Sequence, residues 1–100
     1  MSRGLSHLIV AYDVETVTPQ GRRRLREVAQ LCCAHGVRVQ KSVFECALEE
    51  PQTVLFVAQL VGAIAPQTDS LRVYHLGNRP PRVQIHGGRP DLQAGGPWIV

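Results

Sequence analysis

Aromatic residues are scarce in this 100-residue chain: one tryptophan, two tyrosines and two phenylalanines. Modules that read single-stranded RNA by stacking need exposed aromatics on their strands, so that mode is disfavoured. The three cysteines, Cys32, Cys33 and Cys46, form no Cys-x-x-Cys pair. Their odd number argues against a disulfide framework and for a reducing, cytoplasmic setting. No basic or histidine neighbour in sequence activates any of them as a nucleophile, and at least one of Cys32 and Cys33 should be buried as a small hydrophobe. The histidines His7, His35, His75 and His86 keep no metal-ligand spacing with one another or with cysteine, which argues against zinc. The longest apolar run, Val54 to Ala65, contains Gln59 and is too short to span a bilayer, so no membrane partner is expected. Residues Met1 to His7 are too few and too polar to read as a secretory signal. Internal repeats and low-complexity segments are also missing.

What is present is the composition of a single folded domain, 44% hydrophobic and 19% charged. A chain of this size buries a modest core, so pairing with a second copy is a natural way to add to it. The net charge of +3 is mild, yet four of the eleven basic residues fall between Arg22 and Arg26. A local arginine cluster suits a polyanionic partner, although a solvated basic face is the plainer reading.

Read for periodicity, residues 5 to 13 form a strand ending in the apolar run Leu8 to Tyr12 and then Asp13. A helix is expected from about Pro19 to His35, stopping at Gly36 as a C-terminal cap, with Leu25, Val28, Ala29 and Cys32 facing the core. Two strands follow, about 37 to 40 and 42 to 48, with a bend near Lys41. A second helix begins at Glu49-Glu50-Pro51 and ends at Pro66, with Val57, Leu60, Val61 and Ile64 as its core stripe. A strand from Asp69 to Leu76, a turn from Gly77 to Pro81 and a short strand from Arg82 to His86 complete the pattern. The order is β-α-β-β-α-β with an added C-terminal strand, the ferredoxin-like α+β plan. Residues 1–86 are expected to form that domain. Residues 87–100 read as a glycine- and proline-rich tail, whose apolar end Trp98-Ile99-Val100 suits a strand docking on a sheet edge or a partner.

Asp13 is the leading candidate for chemistry, because ligands collect where strands leave an α/β sheet. A single carboxylate is a poor magnesium site, but water, phosphate oxygens and a second Asp13 across a two-fold axis can supply the remaining ligands. The plain alternative is that Asp13 caps a turn. Arginines in the first turn of a helix oppose its macrodipole, and such local conflicts collect at functional sites. Arg22 and Arg24 flank the apolar helix face, and Arg38 and Lys41 on the next strand extend the basic surface; such groups position a nucleic acid through phosphate. Phe44 reads as core before it reads as a base-stacking platform. Ser42 has no base arranged with it and is taken as structural or as a hydrogen-bond donor.

Together the blocks Tyr12-Asp13-Val14, Gly21 to Ala29, Arg38 to Cys46, Asp69 to Gly77 and Gly96-Pro97-Trp98-Ile99-Val100 resemble the second CRISPR-associated core protein family. That family supplies the small subunit that works with the integrase in spacer acquisition, a step of antiviral defence. The resemblance implies a ferredoxin-like homodimer whose C-terminal strand packs on its partner. It also implies a magnesium-dependent endonuclease on RNA or DNA, with Asp13 as the metal-binding catalytic residue facing its mate across the two-fold. Tyr12, Arg22, Arg24, Arg38 and Phe44 take the nucleic-acid-binding positions. The expected partners are a second copy, the CRISPR-associated integrase and DNA, with RNA as a further candidate. The competing expectation is a stand-alone ferredoxin-like RNA-binding or regulatory domain without catalysis.

Overall fold

The structure, a computed structural model, describes residues 4–77 and 81–87. Its elements run β1 (Ser6–Asp13), α1 (Pro19–His35), β2 (Gly36–Gln40), β3 (Val43–Leu48), α2 (Glu50–Ala63), β4 (Ser70–Leu76) and β5 (Arg82–Gly87). The five strands make one antiparallel sheet in the order β2-β3-β1-β4-β5. This is the ferredoxin-like α+β plan, with β5 added beside β4. The expected docking strand at Trp98-Ile99-Val100 and most of the turn at 77–81 lie outside the described residues.

β1 is the central strand, and its alternation sets the layers. Leu8, Val10 and Tyr12 are buried, and their register partners on the same face include Cys46 and Phe44 of β3 and Val73 and Leu71 of β4. That face packs against Val28 and Cys32 of α1 and Phe56 and Leu60 of α2, so both helices cover one side of the sheet. Ile9 and Ala11 point to the opposite side and are only half-buried, while Asp13 is exposed. Cys33 is exposed while Cys32 and Cys46 are buried. Burial pushes the Cys32 thiol up to about 12, further raised by the neighbouring Cys46 and Cys33, so it is inert as a nucleophile.

α1 starts where proline and threonine place it. The Thr18 hydroxyl accepts the Gly21 amide at 3.0 Å, and Pro19 occupies a first-turn position. Gly36 caps α1 as expected, its amide donating to the Cys32 carbonyl from an extended backbone at φ −159°. The need for glycine there is steric, since a Cβ would run into the Glu45 carbonyl and the Cys46 sulfur. The expected bend before β3 is found at Lys41 and Ser42, with a register shift between Arg38 and Gln40.

In α2 the buried residues are Thr53, Phe56 and Leu60, a stripe rotated from the expected Val57, Leu60, Val61 and Ile64. Ile64 is buried just beyond the helix, and Val57 and Val61 pack at the margin of the core. The helix is apolar on nearly every side, with Val54 and Leu55 exposed, so periodicity alone did not fix which face turns inward.

Candidate functional site

The end of β1 places two adjacent side chains on opposite faces of the sheet. Asp13 is exposed, opposite Ser70 of β4. Tyr12 turns into the core at 6% exposure and stacks on Phe44, ring centroids 6.2 Å apart. Its amide donates to the Ser42 carbonyl at 3.1 Å, which draws the β2–β3 turn against the β1 end. The Tyr12 hydroxyl is buried and makes no hydrogen bond of good geometry. Burial is the main cause of its raised pKa, neighbouring Cys32 adds to it, and nearby Arg38 opposes it.

Around this junction lies a cleft of about 460 Å³. Its walls include Asp13, Arg26, Arg38, Lys41 and Ser42, and Val14, Leu25 and Ala29 line it with apolar surface. The Arg38 guanidinium sits over the Phe44 ring, 5.0 Å from the centroid, a favourable cation–π distance. Among the described residues, Arg26, Arg38 and Lys41 form no ion pair with a carboxylate. One concavity therefore holds three cations and one acid over an apolar lining.

The geometry brings some of the candidate residues together and sets others apart. Asp13, Tyr12 and Arg38 do come together, with Lys41 beside them. Phe44 is fully buried, so it cannot present a face to a base; it is the floor on which Tyr12 and Arg38 rest. Arg24 is turned away from the cleft. Its Nε donates to the Asp69 carboxylate at 2.8 Å, and its other nitrogen reaches Asp69, Thr68 and Glu15 at 3.3 to 3.5 Å. Asp69 has no exposed surface, and a buried carboxylate without its cation is costly, so Arg24 serves the fold. Arg22 donates to the Thr16 and Val17 carbonyls at 3.0 and 3.2 Å, closing the loop before α1.

Two residues escaped the sequence reading. Arg26 lines the cleft one helical turn beyond Arg22, and its spacing from Leu25 and Ala29 was the available signal. Asp69 stands just before an apolar strand, where a buried acid announces a buried partner. Its carboxylate also accepts the Ala65 amide at 2.8 Å, the Glu15 amide at 3.1 Å and the Thr68 hydroxyl at 3.1 Å. Burial pushes the Asp69 carboxyl up, but Arg24 and these donors outweigh it and leave it below its ordinary value. Glu15 is also lowered, first by the Thr18 amide and then by the Thr18 hydroxyl.

No cluster of three or more metal-ligating side chains occurs among the described residues. Asp13 supplies the hard oxygen that magnesium favours, but one chain's donor set falls short of a dedicated site. No helix among the described residues is long and apolar enough to cross a membrane.

The sequence pattern described as CRISPR associated protein Cas2 matches residues 6–81. A CRISPR-associated endoribonuclease Cas2 from Rhodospirillum rubrum is 47% identical over 94 residues, covering 93% of this chain and 99% of the relative. A CRISPR-associated endonuclease Cas2 from Halalkalibacterium halodurans is 39% identical over 93 residues, covering 92% and 97%. The crystal structure of Streptococcus pyogenes Cas2 at pH 6.5 superposes with a TM-score of 0.65 at 49% identity, covering 71% of this chain and 86% of that one.

Proposed function

The chain belongs to the CRISPR-associated protein Cas2 family, and we propose that it works in spacer acquisition as a homodimer holding nucleic acid for the integrase. The observation that carries the nucleic-acid reading is the junction of Asp13 with Arg26, Arg38 and Lys41 in one cleft. Cations without carboxylate partners are ready to neutralise phosphate, and such contacts fix a strand's position without reading its bases. The printed names of the relatives, endoribonuclease and endonuclease, support phosphodiester cleavage as a second capacity of the same site.

Cleavage in this reading needs magnesium shared between Asp13 and the Asp13 of a second copy, since one chain offers a single carboxylate there. A bound magnesium ion would polarise a phosphate or a water molecule at that position. The residues of this chain do the rest: Arg26, Arg38 and Lys41 hold the phosphodiester beside Asp13, and the Tyr12–Ser42 backbone contact fixes the strand end that carries it. The alternative of an RNA-binding domain that stacks bases on its strands loses support, because Phe44 and Tyr12 are both buried.

The test is cleavage and binding by highly purified protein beside Asp13→Asn, with magnesium and with chelator, on duplex DNA and single-stranded RNA. We expect Asp13→Asn to abolish magnesium-dependent cleavage, leave duplex binding intact and leave integration with the partner integrase intact. Arg26→Ala and Lys41→Ala should each weaken binding and lower the salt slope of log affinity by about one unit. Persistence of cleavage in Asp13→Asn would remove the metal reading, and unchanged binding in both cation variants would move the nucleic acid elsewhere.

A further inference from the structure

We infer that the cleft beside Asp13 seats one nucleoside monophosphate, either free or as the phosphorylated terminal unit of a strand. The inference shares its residues with the nucleic-acid reading above but needs neither the dimer nor the metal. A duplex lying on the protein asks only for exposed cations on an open surface. This site is different in shape: it is concave, and its volume of about 460 Å³ lies within the roughly 300–1,000 Å³ typical of small-molecule sites.

Its chemistry is divided in a way that matches one nucleotide. Arg26, Arg38 and Lys41 offer the cationic end, while Val14, Leu25 and Ala29 offer an apolar wall. Inorganic phosphate would use only the first and a nucleoside only the second. Arg38 rests on Phe44 and is exposed, so it can turn toward a phosphate without disturbing the core.

Calorimetric titration of the full chain in chelator, with AMP, adenosine and inorganic phosphate as probes, tests this. AMP should bind saturably, with adenosine and phosphate each weaker by about tenfold or more. Ala29→Met, which fills the apolar wall without changing charge, should weaken AMP by a similar factor. Amide shifts in an NMR titration of the unsubstituted protein, centred on Leu25, Ala29 and Ser42, give the same answer without any variant. A 5′-phosphorylated oligonucleotide that binds more tightly than its 5′-hydroxyl twin identifies a strand terminus as the source; equal binding of the two, with AMP retained, identifies the free nucleotide. Duplex binding without saturable AMP binding would overturn the inference and leave the nucleic-acid reading standing. Loss of both would overturn both, and equal affinity for AMP and phosphate would reduce the site to a bare anion contact.

Discussion

Asp69 shows how a single residue can hold three segments of this fold at once. Its carboxylate meets Arg24 of α1, the Glu15 amide just past β1 and the Ala65 amide just past α2. Glu15 in turn accepts from the Thr18 amide and hydroxyl at 2.6 and 2.9 Å, and Thr18 caps α1. The exit of β1, and with it the placement of Asp13, is therefore tied to a buried charge. Replacing Asp69 with Ala would leave the Ala65 and Glu15 amides short of their acceptor, each at a cost of about 1–3 kcal/mol. We expect denaturant unfolding of Asp69→Ala to show a loss of at least about 2 kcal/mol, against almost none for the exposed Arg23→Ala. The pH dependence has a definite sign. The folded-state pKa lies below its ordinary 3.8, so the contribution is complete above that value and disappears as pH falls through the folded pKa. The stability gap between the parent and Asp69→Asn should accordingly hold at neutral pH and close only in acid, below about pH 4. A gap that is flat down to pH 2 would mean that Asp69 is not ionised in the fold.

At the scale of elements, the legible parts of the sequence were those in which local and tertiary demands agree. β1 announces itself through Leu8 to Tyr12, and α1 through Thr18, Pro19 and a single apolar stripe. The bend at Lys41-Ser42 was visible because twelve extended residues exceed one strand. Asp13, Tyr12, Arg38 and Lys41 could be grouped because strand ends and a short turn converge at one end of the sheet. What escaped depends on side-chain direction across long separations. Arg24 and Asp69 are 45 residues apart, and nothing local in an arginine run says which member turns inward. Gly36 was legible as the cap of α1, but the steric demand for glycine there comes from Glu45 and Cys46 on another strand. The face of α2 was ambiguous because valine and leucine occupy its solvent side as well. That ambiguity makes a sharp comparison: Phe56→Ala should cost about 3–5 kcal/mol, whereas the exposed Leu55→Ala should cost well under about 1 kcal/mol. Equal losses in a chemical denaturation series would mean that Phe56 does not face the core.

Among the described residues of the molecule, two helices lie on one side of the sheet and the opposite side is incompletely covered. Ile9, Ala11 and Val43 are half-buried there, and Ala47 is exposed; in register, Ala11 lies against Val43 on one side and Arg72 on the other. Burying such a face against a second copy enlarges the small core available to a 100-residue chain. A two-fold arrangement of that kind makes the contact self-complementary, and it is the arrangement that shared magnesium at Asp13 requires. We therefore expect the 11.0 kDa chain to run in light scattering at about twice that mass. Ala11→Arg puts a guanidinium on the small residue of this face and should shift the protein to monomer. Arg23→Glu, on the exposed side of α1, should leave the dimer unchanged. Circular dichroism of Ala11→Arg separates dissociation from unfolding, since a folded monomer keeps its helical signal. If the parent protein is monomeric at micromolar concentration, the shared-metal arrangement fails with it. If Ala11→Arg remains dimeric and folded, the two copies meet through another surface, and the proposed sharing of magnesium between two Asp13 carboxylates fails.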